Sequence, residues 1–332
     1  MQINKFLTII FISVAFAALT NAQSYKVEKT DIFQPNIPDQ NKKILLLQDN
    51  SDPQRKLILF KTPLAVNTDG SPTSYNPQDP KGETKAINTV CNAIAVYKTS
   101  EVNGKSLCSG RYSEAIGVFE KWRDSGYLKV PEGYRISWEN DLAKTTDNNG
   151  NKVPCIFKSE EYKDYRGFFG SLTARKNDLP LNERGECEAK NQLDALHLPH
   201  LVLAGGANPV RAFGAIVGDL VVAFNPKNNQ MSFAIIGDTG PANNLGEGSV
   251  FMNMTLLGKT TPPKTKKEIY RDYTIGGKGI LIAIIPASAN YKIQKPFTAE
   301  NIADRIKQWQ QSVGFTTPES FIQMMKSFQS KL

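Results

Sequence analysis

The sequence predicts a mainly β, α+β fold in which short buried strands form the core and helices pack around it. Four apolar runs rich in Val and Ile, each bounded by turn residues, lie in the second half of the chain at residues 201–204, 219–224, 233–236 and 280–285. Runs of this length and composition are typical of strands buried on both faces. Turn residues at 225–229 predict a hairpin between two of them. These strands fit a small closed barrel or an open sandwich.

The composition is that of an ordinary globular protein. The 332 residues are 40% hydrophobic and 22% charged, with a formal net charge of +8. These values exclude collagen-like, coiled-coil and wholly disordered chains. The basic residues are scattered, apart from a short cluster at residues 264–267, and no nucleic-acid-binding motif occurs. We therefore interpret the charge as a solvated surface and expect no nucleic-acid partner.

The first 22 residues have the pattern of a secretory signal peptide. Lys5 precedes an uninterrupted apolar stretch at residues 6–19, and small or short residues follow at 20–22. The apolar stretch is too short to span a bilayer, which needs about 20 residues. The pattern predicts removal of residues 1–22 and export of a mature chain with net charge +7 and no membrane partner.

The cysteines predict disulfides. Cys91, Cys108, Cys155 and Cys187 form an even set, and export places them in an oxidising compartment. Three pairings are possible. We favour Cys91–Cys108 with Cys155–Cys187 because both loops are short. Since no C-x-x-C spacing is present, we expect neither a zinc site nor a thiol redox centre.

The first half of the chain has weaker strand patterns. Residues 23–56 are polar and contain prolines, which predicts an N-terminal extension with one strand. Residues 57–66 predict a strand that Pro63 either ends or places at a sheet edge. Residues 144–154 contain three Asn, two Thr, one Gly and one Pro, a composition that predicts a loop.

Four segments show the signals of helices. Apolar residues recur at helical spacing over residues 87–94 and 116–122, which predicts two helices in the first half. A third apolar stripe at residues 302–313 stops at Gly314, and Pro318 opens a last helix. Such stripes indicate core packing, and we assign them no other role.

The most informative stretch for function is residues 235–249. A predicted strand delivers Asp238 at its end, a Gly, Pro and Asn loop turns the chain, and Glu247 lies between two glycines. Glycines beside a carboxylate allow backbone and substrate to approach closely. Two carboxylates on the two sides of a loop can face each other at about 6.5–9.5 Å, the gap in which an inverting glycosidase seats a water. The alternative is a tight turn whose Asp bonds its own backbone.

Other enzyme classes have weaker support. Asp-Thr-Gly at residues 238–240 also occurs in aspartic proteases, but their chemistry needs a second aspartate in the same site. The nearest candidate, at residues 68–71, has the wrong order. His197 and His200 are the only histidines; their spacing does not fit a helical metal pair, and no Gly-x-Ser-x-Gly elbow occurs. We expect structural roles for both, no metal and no cofactor.

At these residues the sequence resembles the chitosanases of glycoside hydrolase family 75, first described in fungi. The family's pattern is a strand led by Gly-Asp, a strand ending in Gly-Asp-Thr, and then Gly-Glu-Ala/Gly-Ser. The matching residues here are 218–221, 237–241 and 246–249. An earlier Asp-Gly-Ser followed by Tyr matches residues 69–71 and 75, and looser matches lie at 168–173 and 198–203. The resemblance covers roughly residues 60–290 and is specific in the 218–249 block.

The resemblance implies a double-psi-like barrel and an inverting hydrolase of the β-1,4 bonds of chitosan. It makes Asp238 and Glu247 the catalytic pair, and we assign Glu247 as general acid and Asp238 as base. Chitosan is cationic, so further carboxylates are expected to bind its amines. The expected substrate contacts are Asp69, Tyr75, Asp219 and Thr239. The alternatives are a turn cap for Asp219 and a packed turn aromatic for Tyr75.

The expected organisation is an N-terminal extension (residues 23–56), a catalytic β-barrel domain (57–296) and C-terminal helices packed on it (297–332). We expect a secreted monomer, extracellular or, if the source has an outer membrane, periplasmic, whose partner is chitosan or partly acetylated chitosan. A basic protein repels a polycation at long range, so the site itself must be acidic. The alternative function is a non-catalytic carbohydrate- or cell-wall-binding double-psi barrel, which would not require Glu247.

Overall fold

A closed barrel of six strands forms the centre of the molecule in a computed structural model. The structure describes residues 24–35, 41–101, 104–158, 160–177 and 187–332, so the predicted signal peptide lies outside the described residues. The strands are β1 (Tyr25–Phe33), β2 (Lys42–Asp49), β3 (Lys56–Asn67), β4 (Ala95–Lys98), β5 (Tyr134–Ser137), β6 (Lys144–Thr146), β7 (Lys152–Pro154), β8 (His200–Ala204), β9 (Leu220–Asn225), β10 (Gln230–Gly240), β11 (Glu247–Ser249) and β12 (Ile275–Ile285). The α-helices are α1 (Tyr112–Asp124), α2 (Pro209–Ala212), α3 (Val250–Leu257), α4 (Lys266–Glu268), α5 (Ala299–Ser312) and α6 (Pro318–Ser327).

The barrel closes through β3. Its strands follow the order β3, β11, β8, β10, β9 and β12, and β12 pairs again with β3. The β10–β8 and β11–β3 pairs are parallel, whereas the other four pairs are antiparallel. The predicted small closed barrel is therefore confirmed, and the open sandwich is excluded. The two parallel pairs are in keeping with the double-psi-like arrangement.

The barrel strands are buried on both faces, as their continuous apolar runs predicted. In β9, Leu220 and Val222 pack in one cluster with helices α5 and α6, while Val221 and Ala223 pack in a second cluster. The second cluster takes side chains from the barrel strands β3, β8, β9, β10 and β12 and also from β1, β2, α2 and α3. The predicted hairpin is the antiparallel pair β9–β10.

The N-terminal extension contains two strands, where the sequence predicted one. β1 pairs antiparallel with β2, and β2 pairs with the first half of β3. A register shift between Val27 and Lys29 interrupts β1. Because this irregularity breaks the alternation of apolar and polar residues, the usual signal of a strand is lost there.

β3 runs through Pro63, so the expectation that the strand ends or becomes an edge there is wrong. The register between β3 and β12 shifts between Ile275 and Ile280, which lie opposite Leu64 and Thr62. Pro63 therefore lies at an irregularity of the ladder, where the missing N–H costs no regular strand hydrogen bond.

Three of the four predicted helices are present. α1, α5 and α6 cover the expected segments, and α5 and α6 begin with capping boxes at Thr298 and Thr317. Residues 87–94 form only a 3-10 turn at Val90–Asn92. The Asn88 side chain accepts the N–H of Thr89, and the Thr89 side chain accepts that of Cys91. Such local side-chain bonds compete with a longer helix.

The segment between β3 and β8 is a large insertion with its own apolar cluster around α1. Its predicted loop at residues 144–154 contains the short hairpin β6–β7. The Cys91–Cys108 and Cys155–Cys187 disulfides span 17 and 32 residues, which confirms the predicted pairing. Two disulfides are consistent with an oxidising compartment. Within the described ranges, no helix is both long and apolar enough to cross a bilayer.

Candidate active site

Three carboxylates lie at the ends of neighbouring barrel strands, which follow the order β3, β11, β8 and β10. Asp69 follows the end of β3 by two residues, Asp238 lies near the end of β10, and Glu247 begins β11. β11 runs parallel to the last residues of β3, and Glu247 is paired with Ala65. Long-range strand pairing therefore brings together carboxylates from the first and the second half of the chain.

A bulge directs the side chain of Asp238. The register between β10 and β8 shifts between Ile236 and Asp238, which leaves Gly237 as an extra residue. A Cβ on Gly237 would lie 2.6 Å from the Cβ of His200, so only glycine fits there. Bulges of this kind change the direction of the next side chain.

A second glycine positions Glu247. Gly246 has φ +108°, and a Cβ on it would lie 2.2 Å from the carbonyl oxygen of Pro63. The hydroxyl of Thr62 also donates to the carbonyl of Leu245 at 2.9 Å. The sequence predicted that glycine here admits a close approach, and the approaching group is the backbone of β3.

Asp69 is held by hydrogen bonds from three side chains. Its Oδ1 accepts from the Tyr75 hydroxyl at 2.5 Å and from Ser171 Oγ at 3.4 Å, and its Oδ2 accepts from Asn67 Nδ2 at 3.3 Å. Tyr75 is fully buried, so its ring offers no face for a sugar. The structure gives Tyr75 a positioning role beside Asp69 instead of the predicted substrate contact.

Asn67 connects Asp69 to Glu247. Its Nδ2 donates to Asp69 Oδ2 at 3.3 Å and to Glu247 Oε1 at 3.4 Å. The separation of these two acceptor oxygens is therefore at most the sum of the two distances. Asn244 Nδ2 donates to the other oxygen of Glu247 at 3.0 Å. That Oε2 lies 3.8 Å from the position a Cβ would take on Gly240, two residues beyond Asp238.

Backbone donors fix one oxygen of Asp238. The N–H groups of Ala174 and Thr239 donate to Oδ1 at 2.9 and 2.8 Å. Asp238 is 8% exposed, while Thr239, a predicted substrate contact, is exposed beside it. Both of these backbone donors therefore bond to the same oxygen, Oδ1.

The site is an acidic cluster of four carboxylates: Asp69, Asp141, Asp238 and Glu247. Burial, reinforced by the charge of Asp69, raises the pKa of Asp238 to about 8 and the pKa values of Glu247 and Asp141 to about 7. Burial also raises the pKa of Asp69, although its three hydrogen-bond donors act in the opposite direction. Burial and the repulsion between neighbouring carboxylates both favour the protonated forms, so the acidic cluster retains protons near neutral pH. Backbone donors alone do not keep Asp238 ionised.

Asp219, a predicted substrate contact, is not brought into this cluster. It is fully buried, and its carboxylate accepts the backbone N–H groups of Ile216, Ser288 and Ala289 at 2.9–3.0 Å. These bonds connect the start of β9 to the loop after β12. The position matches the alternative interpretation of a turn cap.

The structure brings Asp69 close to Asp238, although their sequence context did not match an aspartic-protease pair. Asp69 bonds to Tyr75, Ser171 and Asn67, and Asp238 bonds to backbone N–H groups. An aspartic-protease pair would require the two carboxylates to share a proton in one site.

Sequence reasoning missed several groups of the site. These groups are Asn67, Asp141, Asn244 and the N–H of Ala174. Asn67 directly follows the predicted strand 57–66 and Asn244 lies in the loop between Asp238 and Glu247, whereas Asp141 and Ala174 have no local signal. His200 is fully buried, its Nε2 lies 3.5 Å from Asn67 Oδ1, and burial lowers its pKa to about 4. A neutral His200 therefore contributes no charge to the acidic cluster.

A cavity of about 550 Å³ lies away from the acidic cluster, beside the Cys155–Cys187 disulfide, and contains none of the predicted site residues. Across the ranges that the structure describes, no group of three or more His, Cys, Asp or Glu side chains is arranged to hold a metal ion. In comparisons with known proteins, the chain matches no family model and no curated protein.

Proposed function

We propose that the protein is a secreted, inverting glycoside hydrolase that cleaves β-1,4 bonds within chitosan or partly acetylated chitosan. The observation that carries the proposal is the convergence of Asp238 and Glu247 with a third carboxylate, Asp69, at one end of the barrel strands. Inverting glycoside hydrolysis uses two carboxyl groups, one protonated through a raised pKa as the general acid and one ionised as the base. The two disulfides and the predicted signal peptide support export.

Glu247 is the proposed general acid and Asp238 the proposed base. The pKa of Glu247, about 7, lies near neutral pH, where a general acid is most effective. Asp238 has its Oδ1 held by the N–H groups of Ala174 and Thr239, which leaves Oδ2 to take a proton from the attacking water. Inversion requires these two groups to act on opposite faces of the sugar.

A cationic substrate suits this site. An ammonium group beside the acidic cluster lowers the pKa of neighbouring carboxylates, so bound glucosamine would favour the ionised, basic form of Asp238. The acidic cluster also supplies the local negative charge that a protein of net charge +8 needs in order to bind a polycation.

The test is the release of reducing ends from soluble chitosan, with chitin and peptidoglycan as comparison polymers. Asp238→Asn and Glu247→Gln should each lower kcat by roughly 10²–10⁴-fold while the fold is retained. Azide should restore turnover to Asp238→Asn with an α-glycosyl azide product, because azide replaces the activated water. Rescue of only Glu247→Gln would reverse the two roles, and near-wild-type activity in either variant would overturn the pair. Polymer binding without release would favour a non-catalytic binding protein.

A further inference from the structure

Tyr270 is the most exposed aromatic side chain in the part of the chain that the structure describes. Its exposed fraction is 44%. It lies in the π-helical turn Ile269–Tyr273, where both terminal residues are buried. The turn is therefore anchored in an apolar cluster on both sides of Tyr270, while the ring of Tyr270 faces outward. Single π-helical turns are frequent at functional sites.

Hydrogen bonds hold this ring beside the acidic cluster. The Tyr270 hydroxyl accepts from Asn92 Nδ2 at 2.9 Å and donates to Asn88 Oδ1 at 3.2 Å. Asn88 Nδ2 in turn donates to the hydroxyl of Thr68, the residue before Asp69, at 2.8 Å. Burial is the main cause of the raised pKa of Tyr270, and the charges of Glu247 and Asp69 add to the shift.

We propose that the ring of Tyr270 is a binding platform for one glucosamine unit of the polymer, a role that rests on the proposed function. The face of an aromatic ring attracts a cation, and the apolar face of a sugar ring packs on the same surface. Because Asn88 and Asn92 fix the hydroxyl, little side-chain freedom remains to be lost when a sugar binds. The exposed amide of Asn92 lies at the edge of this platform, where it can bond to sugar hydroxyls.

The experiment compares Tyr270→Ala and Tyr270→Phe with the wild type and with Leu128→Ala. Leu128 is 53% exposed and takes no part in the hydrogen bonds of the site, so its variant controls for loss of an exposed apolar side chain. KM and kcat are measured on soluble chitosan, and the Kd of a glucosamine hexamer is measured by calorimetry. Circular dichroism verifies that each variant is folded.

Tyr270→Ala should raise KM and Kd about tenfold with a kcat within about threefold of the wild type, since the loss of one ring contact corresponds to roughly 1–2 kcal/mol. Tyr270→Phe, which keeps the ring, should stay within about threefold in Kd. An unchanged Kd in Tyr270→Ala would overturn the platform, and equal losses in both variants would assign the effect to the hydroxyl. A wild type that binds the hexamer but does not hydrolyse chitosan refutes the proposed function alone, and the Kd comparison still decides the platform. A wild-type protein that neither binds the hexamer nor hydrolyses chitosan refutes both the platform and the proposed function.

Discussion

The charge of Asp69 should set the pH at which Glu247 gives up its proton. Asp69 and Glu247 both accept a hydrogen bond from the side-chain amide of Asn67, so the two carboxylates lie close together. These two hydrogen bonds allow a distance of at most about 7 Å between the two charged oxygens. At that distance, two unit charges repel by about 2.4 kcal/mol at an effective dielectric constant of about 20. This energy corresponds to just under two pH units. Because both side chains are partly exposed, solvent reduces the repulsion, and we expect a shift of about one to two pH units.

Asp69→Asn removes this charge and keeps a side chain of similar shape. The loss of a neighbouring negative charge favours ionisation, so the pKa of Glu247 should fall from about 7 toward its ordinary value. The pKa of Asp238, about 8, should fall in the same direction. If Glu247 is the general acid, the alkaline limb of the activity profile should move to lower pH by the same amount.

The direct assay is an NMR titration of the side-chain carboxyl carbons in protein labelled with ¹³C at Asp and Glu. This measurement reports ionisation whether or not chitosan is the substrate. Asp304→Asn is the matched control, since Asp304 is an exposed residue on α5 and its variant removes the same charge. A folded Asp69→Asn protein whose Glu247 pKa moves by less than about half a pH unit would refute the reasoning.

Three further predictions concern positioning and stability. Tyr75→Phe removes a donor to ionised Asp69 and should raise the pKa of Asp69 by about one pH unit in the same titration. Asp79 accepts four backbone N–H groups, which lower its pKa. Asp79→Asn should therefore lower Tm at pH 7. The difference in Tm between variant and wild type should shrink as pH falls below about 4, where the wild-type carboxylate also takes up a proton. A Tm difference that is independent of pH would contradict this explanation. Replacing Cys91 and Cys108 together by Ser should lower the free energy of unfolding by about 3 kcal/mol in urea, the value for a loop of 17 residues.

Local sequence patterns predicted the strands of the second half and the helices α5 and α6. The strands of the second half are buried on both faces, so their sequences are continuous apolar runs, and α5 and α6 carry both an apolar stripe and a cap. The elements that the sequence did not predict correctly contain irregularities that interrupt the periodic pattern of apolar residues. β1 has a register shift, and the expected helix at residues 87–94 is replaced by side-chain bonds from Asn88 and Thr89.

The cysteine pairing and the position of the Asp238–Glu247 loop also followed from the sequence. Short loops favour Cys91–Cys108 and Cys155–Cys187, and the structure contains both disulfides. Glycines at the strand ends marked the loop, although the reason for Gly246 is its contact with Pro63 of β3. The catalytic use of the pair remains a prediction.

The sequence by itself determined the β class, the terminal helices and one loop with two carboxylates. The resemblance placed Asp69 in the same site as an expected substrate contact. Only the tertiary structure decided how Asp69 is held there, that Tyr75 is buried behind it, and that Asp219 bonds elsewhere. The physical reason is that burial and charge proximity depend on which strands pair. The parallel pairing of β11 with β3 joins segments that are distant in the sequence, and no local propensity encodes that contact. The raised pKa values of Asp238 and Glu247 follow from the same pairing, because they arise from burial and from the charge of Asp69.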